Sequence, residues 1–339
     1  RTKVIGALAI NTGENDFTKA FVLFNSTNVI LGTGGPAGIY EKSVYPLSQS
    51  GSIGMAFMAG ATGQNLTESQ FGIASVKFRW NLSGSFQQAI PRYISTDNQG
   101  KDEREFLNDF FPDLKTLTKA IFLKGYQWPF DPRKIDFYGS SLIDLLVHCE
   151  INDKGRSVFI DFTRNPSWLN GESFDPGDLD PEVENYLKKS DALRSTPLER
   201  LYSLNAPAIV LFKEHGIDLG KEPLEVSVCA QHNNGGLKAN IWWESDLKHL
   251  FPVGEVNGSH GVYRPGGAAL NSGQVGSLRA AQYISNRYNS LPMEDREFLS
   301  ETKYITESKL ILADRWMESG NYAGNKKYLS EIRKRMSES

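Results

Sequence analysis

One run of seventeen residues constrains this chain more than any other: Gly254-Glu255-Val256-Asn257-Gly258-Ser259-His260-Gly261-Val262-Tyr263-Arg264-Pro265-Gly266-Gly267-Ala268-Ala269-Leu270. The strand-like Leu250-Phe251-Pro252-Val253 ends in Gly254-Glu255, where a carboxylate can accept hydrogen bonds from ribose or ribityl hydroxyls. A surface glutamate in a loop is the plain alternative. Gly266-Gly267-Ala268-Ala269-Leu270 opens a small-residue helix over about 268–285, whose free N–H groups favour partial negative charge. Arg264 stands between the two groups. A guanidinium binds a carboxylate through two parallel hydrogen bonds, fixing orientation as well as charge. An exposed ion pair is the commoner fate of a lone Arg, but the flanking glycines bring a site reading level with it.

Two further glycine turns belong to the same argument. Val29-Ile30-Leu31 reads as a short buried strand running into Gly32-Thr33-Gly34-Gly35-Pro36, where glycines let backbone approach a ligand. A plain tight turn is the commoner reading of that segment alone, and no GxGxxG with a following acid is present. Gln231-His232-Asn233-Asn234-Gly235-Gly236 places a His beside amides and glycines, where it could bind a substrate oxygen. A structural His is the competing reading. His260 has no serine nucleophile elbow beside it, which counts against a hydrolase.

The rest of the chain supplies the frame. At 339 residues it can bury a large core split over two or three units. Its 40% hydrophobic and 23% charged content is that of a globular protein. A net charge of −3 gives no basis for binding nucleic acid or an anionic membrane. The longest apolar runs, such as 208–212, are too short to span a bilayer. Cys149 and Cys229 lack metal spacing and read as two buried thiols in a reducing, cytoplasmic setting. The Asn-x-Ser/Thr triplets at Asn25, Asn65, Asn81 and Asn257 carry little weight without a secretory signal.

Residues 4–10 and 20–24 flank a polar turn and read as a hairpin. Helices are expected over 57–63, 112–124 (Leu114, Leu117 and Ile121 on one face, Gly125 as a stop), 141–149 and 206–215, the last capped by Asn205. A strand is expected over 158–162. Two helices follow near the end, 307–319 stopped by Gly320 and 326–336 with Tyr328, Leu329, Ile332 and Met336 on one stripe. The fold class is α+β. The domains are expected at 1–75 with 227–290, 76–226, and a helical segment at 291–339.

Taken together, these segments resemble the succinate dehydrogenase/fumarate reductase flavoprotein superfamily. Val29 to Gly35 is similar to its Val-Ile-Leu-Ala-Thr-Gly-Gly turn, and Tyr45 to Ala61 to the glycine-rich turn and helix that follow. His232 to Gly236 is similar to His-x-x-Met-Gly-Gly, and residues 254–270 to Gly-Glu…His-Gly-x-x-Arg-Leu-Gly-Gly-Asn-Ser-Leu. The resemblance implies the remainder of an FAD-binding domain in 1–75 and 227–290, a capping domain in 76–226, and an N-terminal dinucleotide segment lying outside the chain. It implies hydride exchange between FAD and a small organic acid, with a separate electron-transfer partner. Thr33, Gly34, Gly35, Glu255, Gly266, Gly267, Ala268, Ala269 and Leu270 would contact the cofactor. Arg264 would clamp a substrate carboxylate, and His232 would be a second substrate contact; counting back from the glycines puts the family His one residue earlier, on Gln231.

Three positions depart from the pattern. A substrate His falls on Gly72, the proton-delivering Arg on Ser140, and an Asp on Ser52. Loss of a matched acid costs on the order of 10²–10⁴ in rate, so succinate and fumarate are not the expected substrates. The alternative is a non-catalytic flavin-binding or partner-binding scaffold. A hydrolase or lyase on an unrelated fold is the third reading.

Overall fold

The computed structural model describes residues 2–46, 48–168, 171, 174–319 and 324–338. The chain divides into two compact units, one of Arg1–Glu41, Leu47–Ser69 and His232–Ser339, the other of Lys42–Pro46 and Gln70–Gln231. Helices and sheets are mixed throughout, as the α+β expectation requires.

In the first unit, strands Gly6–Ile10 and Phe21–Asn25 pair antiparallel, so the expected hairpin is present. Strand Val29–Leu31 pairs parallel with Leu250–Pro252, Val29 opposite Leu250. That register matters for the site. Parallel strands end on the same side, and α/β ligands bind beyond those carboxyl ends. The turns at 32–35 and 254–256 therefore emerge together. A third small ladder joins Gly63–Gln64 to Gly236–Leu237.

The helix expected over 57–63 is instead Ile53–Ala59. Gly60, at φ 106°, takes the left-handed conformation and donates its N–H to the Ala56 and Phe57 carbonyls, which ends the helix there. Helix Ala268–Arg287 lies where expected and buries Gly276 and Ala280. The next helix is Asp295–Glu318, starting twelve residues before the expected 307. Its only buried apolar residue is Phe298, so periodicity gives little sign of its first three turns. Gly324–Glu338 is the last helix. The expected stop at Gly320 and the side chains of Tyr328 and Leu329 lie outside the described residues.

The second unit is built on a five-stranded sheet in the order Trp80–Asn81, Ser69–Ser75, Leu224–Asn233, Ser157–Asp161, Arg92–Thr96. Arg92–Thr96 is buried at every position, so it lacks the alternation that would have marked it in the sequence. Helix Leu114–Lys124 is capped by Asp113, whose carboxylate accepts the Thr116 N–H at 2.7 Å. It buries Leu117 and Ile121, while Leu114 is half-buried. Ser141–Asn152 extends three residues beyond the expected end at 149. The helix expected from 206 is the second half of Pro197–Glu214, which breaks at Asn205 (φ −163°, ψ 71°). Asn205 caps as expected, but a first half with its own Thr196–Glu199 capping box precedes it. Leu117, Phe122, Val147, Ile160, Phe162 and Phe212 belong to one continuous core.

Both thiols are free. Cys229 is buried, and burial pushes it up to about 11; Cys149 is only half-buried, so it corrects the expectation of two buried thiols. Among the described residues no helix is long and apolar enough to cross a membrane, and no group of three or more His, Cys, Asp or Glu is placed to hold a metal.

Candidate active site

The first unit gathers the glycine turns. Glu255 sits in the short turn Gly254–Val256 that follows strand Leu250–Pro252. Its Oε1 accepts the Asn233 N–H at 2.8 Å. The same oxygen would lie 2.5 Å from a Cβ at Gly35, so only glycine lets the 32–35 turn close on this carboxylate. Thr33, Gly34, Gly35 and Glu255 are thus brought together around one acid. Gly34 has φ +71°, a conformation side-chain-bearing residues rarely adopt. Gln49 ties the turn from the other side, donating through Nε2 to the Thr33 carbonyl at 2.8 Å and the Gly35 carbonyl at 3.3 Å. The Thr33 hydroxyl is buried and makes no hydrogen bond among the described residues. Six other buried side-chain atoms among the described residues share that state, so the hydroxyl fits a ligand on this turn without singling one out.

The second cluster is His232, Asn234, His260 and Arg264. Arg264 is 5% exposed, and its Nη1 donates to the Pro265 carbonyl at 3.2 Å. His232 is buried, with Nδ1 3.0 Å from Asn234 Oδ1 and its ring edge-on to His260 at 5.6 Å between centroids. Burial, helped by the Arg264 charge and opposed by the Asn234 hydrogen bond, pushes His232 down to about 4. Burial also lowers His260, with His232 and Arg264 acting the same way and Glu255 against them. Both imidazoles are neutral at neutral pH. Gln231, the other place for the family His, donates through Nε2 to the Gly72 carbonyl at 3.1 Å and is committed to the sheet of the second unit.

The third element is the opening of helix Ala268–Arg287. Gly267 precedes it at φ 76°, and no side chain caps it. Ala268 and Ala269 are half-buried, and Leu270 is 75% exposed. A methyl group placed on Gly254, Gly261, Gly266 or Gly267 would meet nothing within 4 Å, whereas one on Gly258 would approach the Gly236 nitrogen to 2.7 Å. Most glycines of the run therefore border open space.

The three departures also have physical places. A Cβ at Gly72 would come within 3.0 Å of the Trp128 ring and carbonyl, so Trp128 fills the room a His would need. Ser140 is fully buried, its hydroxyl donating to Gln127 Oε1 at 2.9 Å. Ser52 precedes helix Ile53–Ala59 without capping it through its side chain. Sequence reasoning did not single out Gln49 or Asn234. Gln49 carries no local signal, while Asn234 was legible only as one of two amides beside a His.

The structure is similar to a quinol–fumarate reductase with menaquinol molecules (TM-score 0.58, 18% identity, covering 91% of this chain and 48% of that one). It is also similar to the E. coli quinol fumarate reductase (TM-score 0.54, 17% identity, 90% and 46%). The fold is that of these flavoprotein chains. No family model matches the chain. In sequence it is 29% identical over 321 residues to an L-aspartate oxidase of Vibrio cholerae serotype O1, covering 93% of this chain and 50% of the relative. Over 93 residues it is 39% identical to a chain of the fumarate reductase (CoM/CoB) of Methanothermobacter marburgensis, covering 27% of this chain and 17% of the relative. In sequence and fold the chain is similar to fumarate reductase and L-aspartate oxidase flavoproteins, and it spans half or less of the length of these relatives.

Proposed function

We propose that the chain is the flavin- and substrate-facing part of an FAD-dependent oxidoreductase whose substrate is a small organic acid other than succinate or fumarate. The observation that carries this reading is the row Gly254, Gly261, Gly266 and Gly267, which borders open space in the run that holds buried Arg264. The partnerless Thr33 hydroxyl supports the fit of a cofactor. Thr33, Gly34, Gly35 and Glu255 would hold its ribityl side, and Gly266, Gly267, Ala268, Ala269 and Leu270 would face its ring. When bound, FAD supplies hydride exchange at N5. The uncapped helix start favours partial negative charge there. Arg264 holds a carboxylate by charge and by two donors in a plane. His232, neutral, adds a directional contact without adding charge.

In this reading residues 1–75 and 227–290 form the FAD domain, 76–226 the capping domain and 291–339 a helical segment. The relatives are named for fumarate and for L-aspartate, both carboxylates, which supports an acid as substrate. The two cysteines of these residues are too few to hold an iron–sulfur cluster, and the reading includes a separate electron-transfer partner. A cytoplasmic setting, where both thiols stay reduced, completes the reading.

The test is flavin content. The purified full-length protein carries or takes up FAD, and small carboxylates then perturb the flavin spectrum. In Arg264→Ala the flavin stays and the perturbation disappears. Protein that takes up no flavin overturns the reading. The packing of Trp128 against Gly72 and the internal bond of Ser140 favour one rival, a flavin scaffold without turnover. Oxidation of a reduced dye with enoic and keto acids separates the two.

A further inference from the structure

The amide of Asn234 is held on all sides. The residue is fully buried; its backbone N–H donates to the Glu68 carbonyl at 3.0 Å, and its carbonyl accepts the His260 N–H at 3.2 Å. Its side-chain Nδ2 donates to the Gly261 carbonyl at 2.8 Å. That contact fixes which end of the amide is which. Turning the side chain over would set Oδ1 against a carbonyl oxygen at the same distance, two acceptors with no proton between them. Oδ1 must therefore be the atom that faces His232 Nδ1 at 3.0 Å. An amide oxygen can only accept, so the proton between them sits on Nδ1.

The consequence falls on the other ring nitrogen. With Nδ1 protonated and the imidazole neutral, Nε2 carries a lone pair and no proton. Neutrality follows from the surroundings: the ring is buried, Arg264 is near enough for its charge to act on it, and His260 is neutral as well. A lone pair repels a carboxylate and accepts from N–H or O–H. We infer that Asn234 is a positioning residue that fixes His232 as its Nδ1–H tautomer, so that Nε2 accepts a hydrogen bond from a ligand whose carboxylate is held by Arg264. The ligand thus carries an N–H or O–H group, as a hydroxy acid does, in addition to its carboxylate. The ligand half of this inference rests on the carboxylate reading proposed above; the tautomer does not.

The two halves are tested separately. In the full chain labelled with ¹⁵N-histidine, ring ¹⁵N–¹H correlations at neutral pH distinguish protonated from bare nitrogens, and His232→Gln identifies the His232 signals. The expected pattern is Nδ1 protonated and Nε2 bare. Asn234→Asp, which keeps an acceptor, preserves Nδ1–H; Asn234→Ala lets Nε2–H appear. A protonated Nε2 in the unsubstituted chain overturns the assignment, as does an unchanged pattern in Asn234→Ala, and the unsubstituted spectrum decides even if the variants fold poorly. For the ligand, titration calorimetry of the full chain with added FAD compares succinate with 2-hydroxysuccinate. One added hydrogen bond predicts a preference of about tenfold for the hydroxy acid, lost in Asn234→Ala. Equal affinities overturn donor selection. Binding of neither acid overturns the carboxylate reading and the ligand half with it, while the spectrum still decides the tautomer.

Discussion

The two units bury polar groups in different company. In the second, Lys124 and Asp144 pair deep in the core, at 1% and 2% side-chain exposure, and Lys124 Nζ also donates to the Trp128 carbonyl at 2.6 Å. Burial lowers Lys124 and raises Asp144, and each one's charge opposes that shift in the other. Their neighbours Ile121, Phe122, Ile143 and Val147 in the same helices are all buried in the main core. In the first unit, His232, Asn234 and Arg264 are buried too, yet Gly254, Gly261, Gly266 and Gly267 of the same run border open space. Buried charge alone does not mark a site; a ligand needs backbone stripped of side chains beside it.

The largest effect that sharpens this contrast is at the ion pair. Removing one member of a buried pair strands the other, at a cost of about 3–5 kcal/mol. Lys124→Ala should lose that much in urea denaturation, while Lys124→Met with Asp144→Leu should recover most of it, because an apolar pair of similar volume needs no compensation. The same substitutions should leave FAD uptake intact. If the double variant fails to recover stability, or if flavin uptake is lost with it, the pair has a role beyond packing and the contrast breaks.

The residues proposed for the site are easier to pick out in the sequence than the pairings that gather them. Glycines, Glu255 and Arg264 announce themselves through local chemistry, and the run from 254 needed no tertiary knowledge to be noticed. What brings Glu255 to Gly35 is the parallel register of Val29–Leu31 with Leu250–Pro252, more than two hundred residues apart in the chain. No local pattern encodes that pairing. The second unit was opaque for a different reason. Arg92–Thr96 is buried on both faces and so loses the period of two, and Asn205 interrupts Pro197–Glu214 with a cap that looks like a beginning. Asn234 fell between the cases: its type suggested a site, but only its two hydrogen bonds reveal which atom faces the His.

Acid should weaken the first unit through His232. The unfolded imidazole takes a proton near its ordinary 6.5 and the folded one only near 4. Between those values the unfolded state binds more protons, so stability is fully present above 6.5 and falls as pH drops toward 4. A shift of this size corresponds to roughly 3 kcal/mol at most. His260, lowered for the same reason, adds with the same sign. Urea midpoints measured from pH 7 to 4.5 should decline, and His232→Gln should flatten part of that decline. An identical slope in His232→Gln would mean that the ring is not buried as a neutral group, and the contrast between the units would lose its electrostatic half.

The smallest effects compare glycine with glycine. A Cβ on Gly125, in the second unit, would lie 2.6 Å from Gln88 Cγ and 2.8 Å from the Gly84 carbonyl oxygen. The Gln88 side chain can swing away. The Gly84 carbonyl is backbone, and its residue is tied to the spot by an N–H that donates to the Gly125 carbonyl at 2.6 Å. Gly125→Ala therefore forces a shift costing about 1–3 kcal/mol. Gly266→Ala meets nothing within 4 Å and should change stability by no more than about 0.5 kcal/mol. Its effect should appear instead in FAD retention, since the added methyl occupies space that the protein itself leaves open. Measuring denaturation and flavin content on both variants gives opposite expectations: stability lost and flavin kept in Gly125→Ala, stability kept and flavin lost in Gly266→Ala. A Gly266→Ala protein that keeps both would mean that the open row at 254–267 is loop surface, and that the glycines there serve the turn alone.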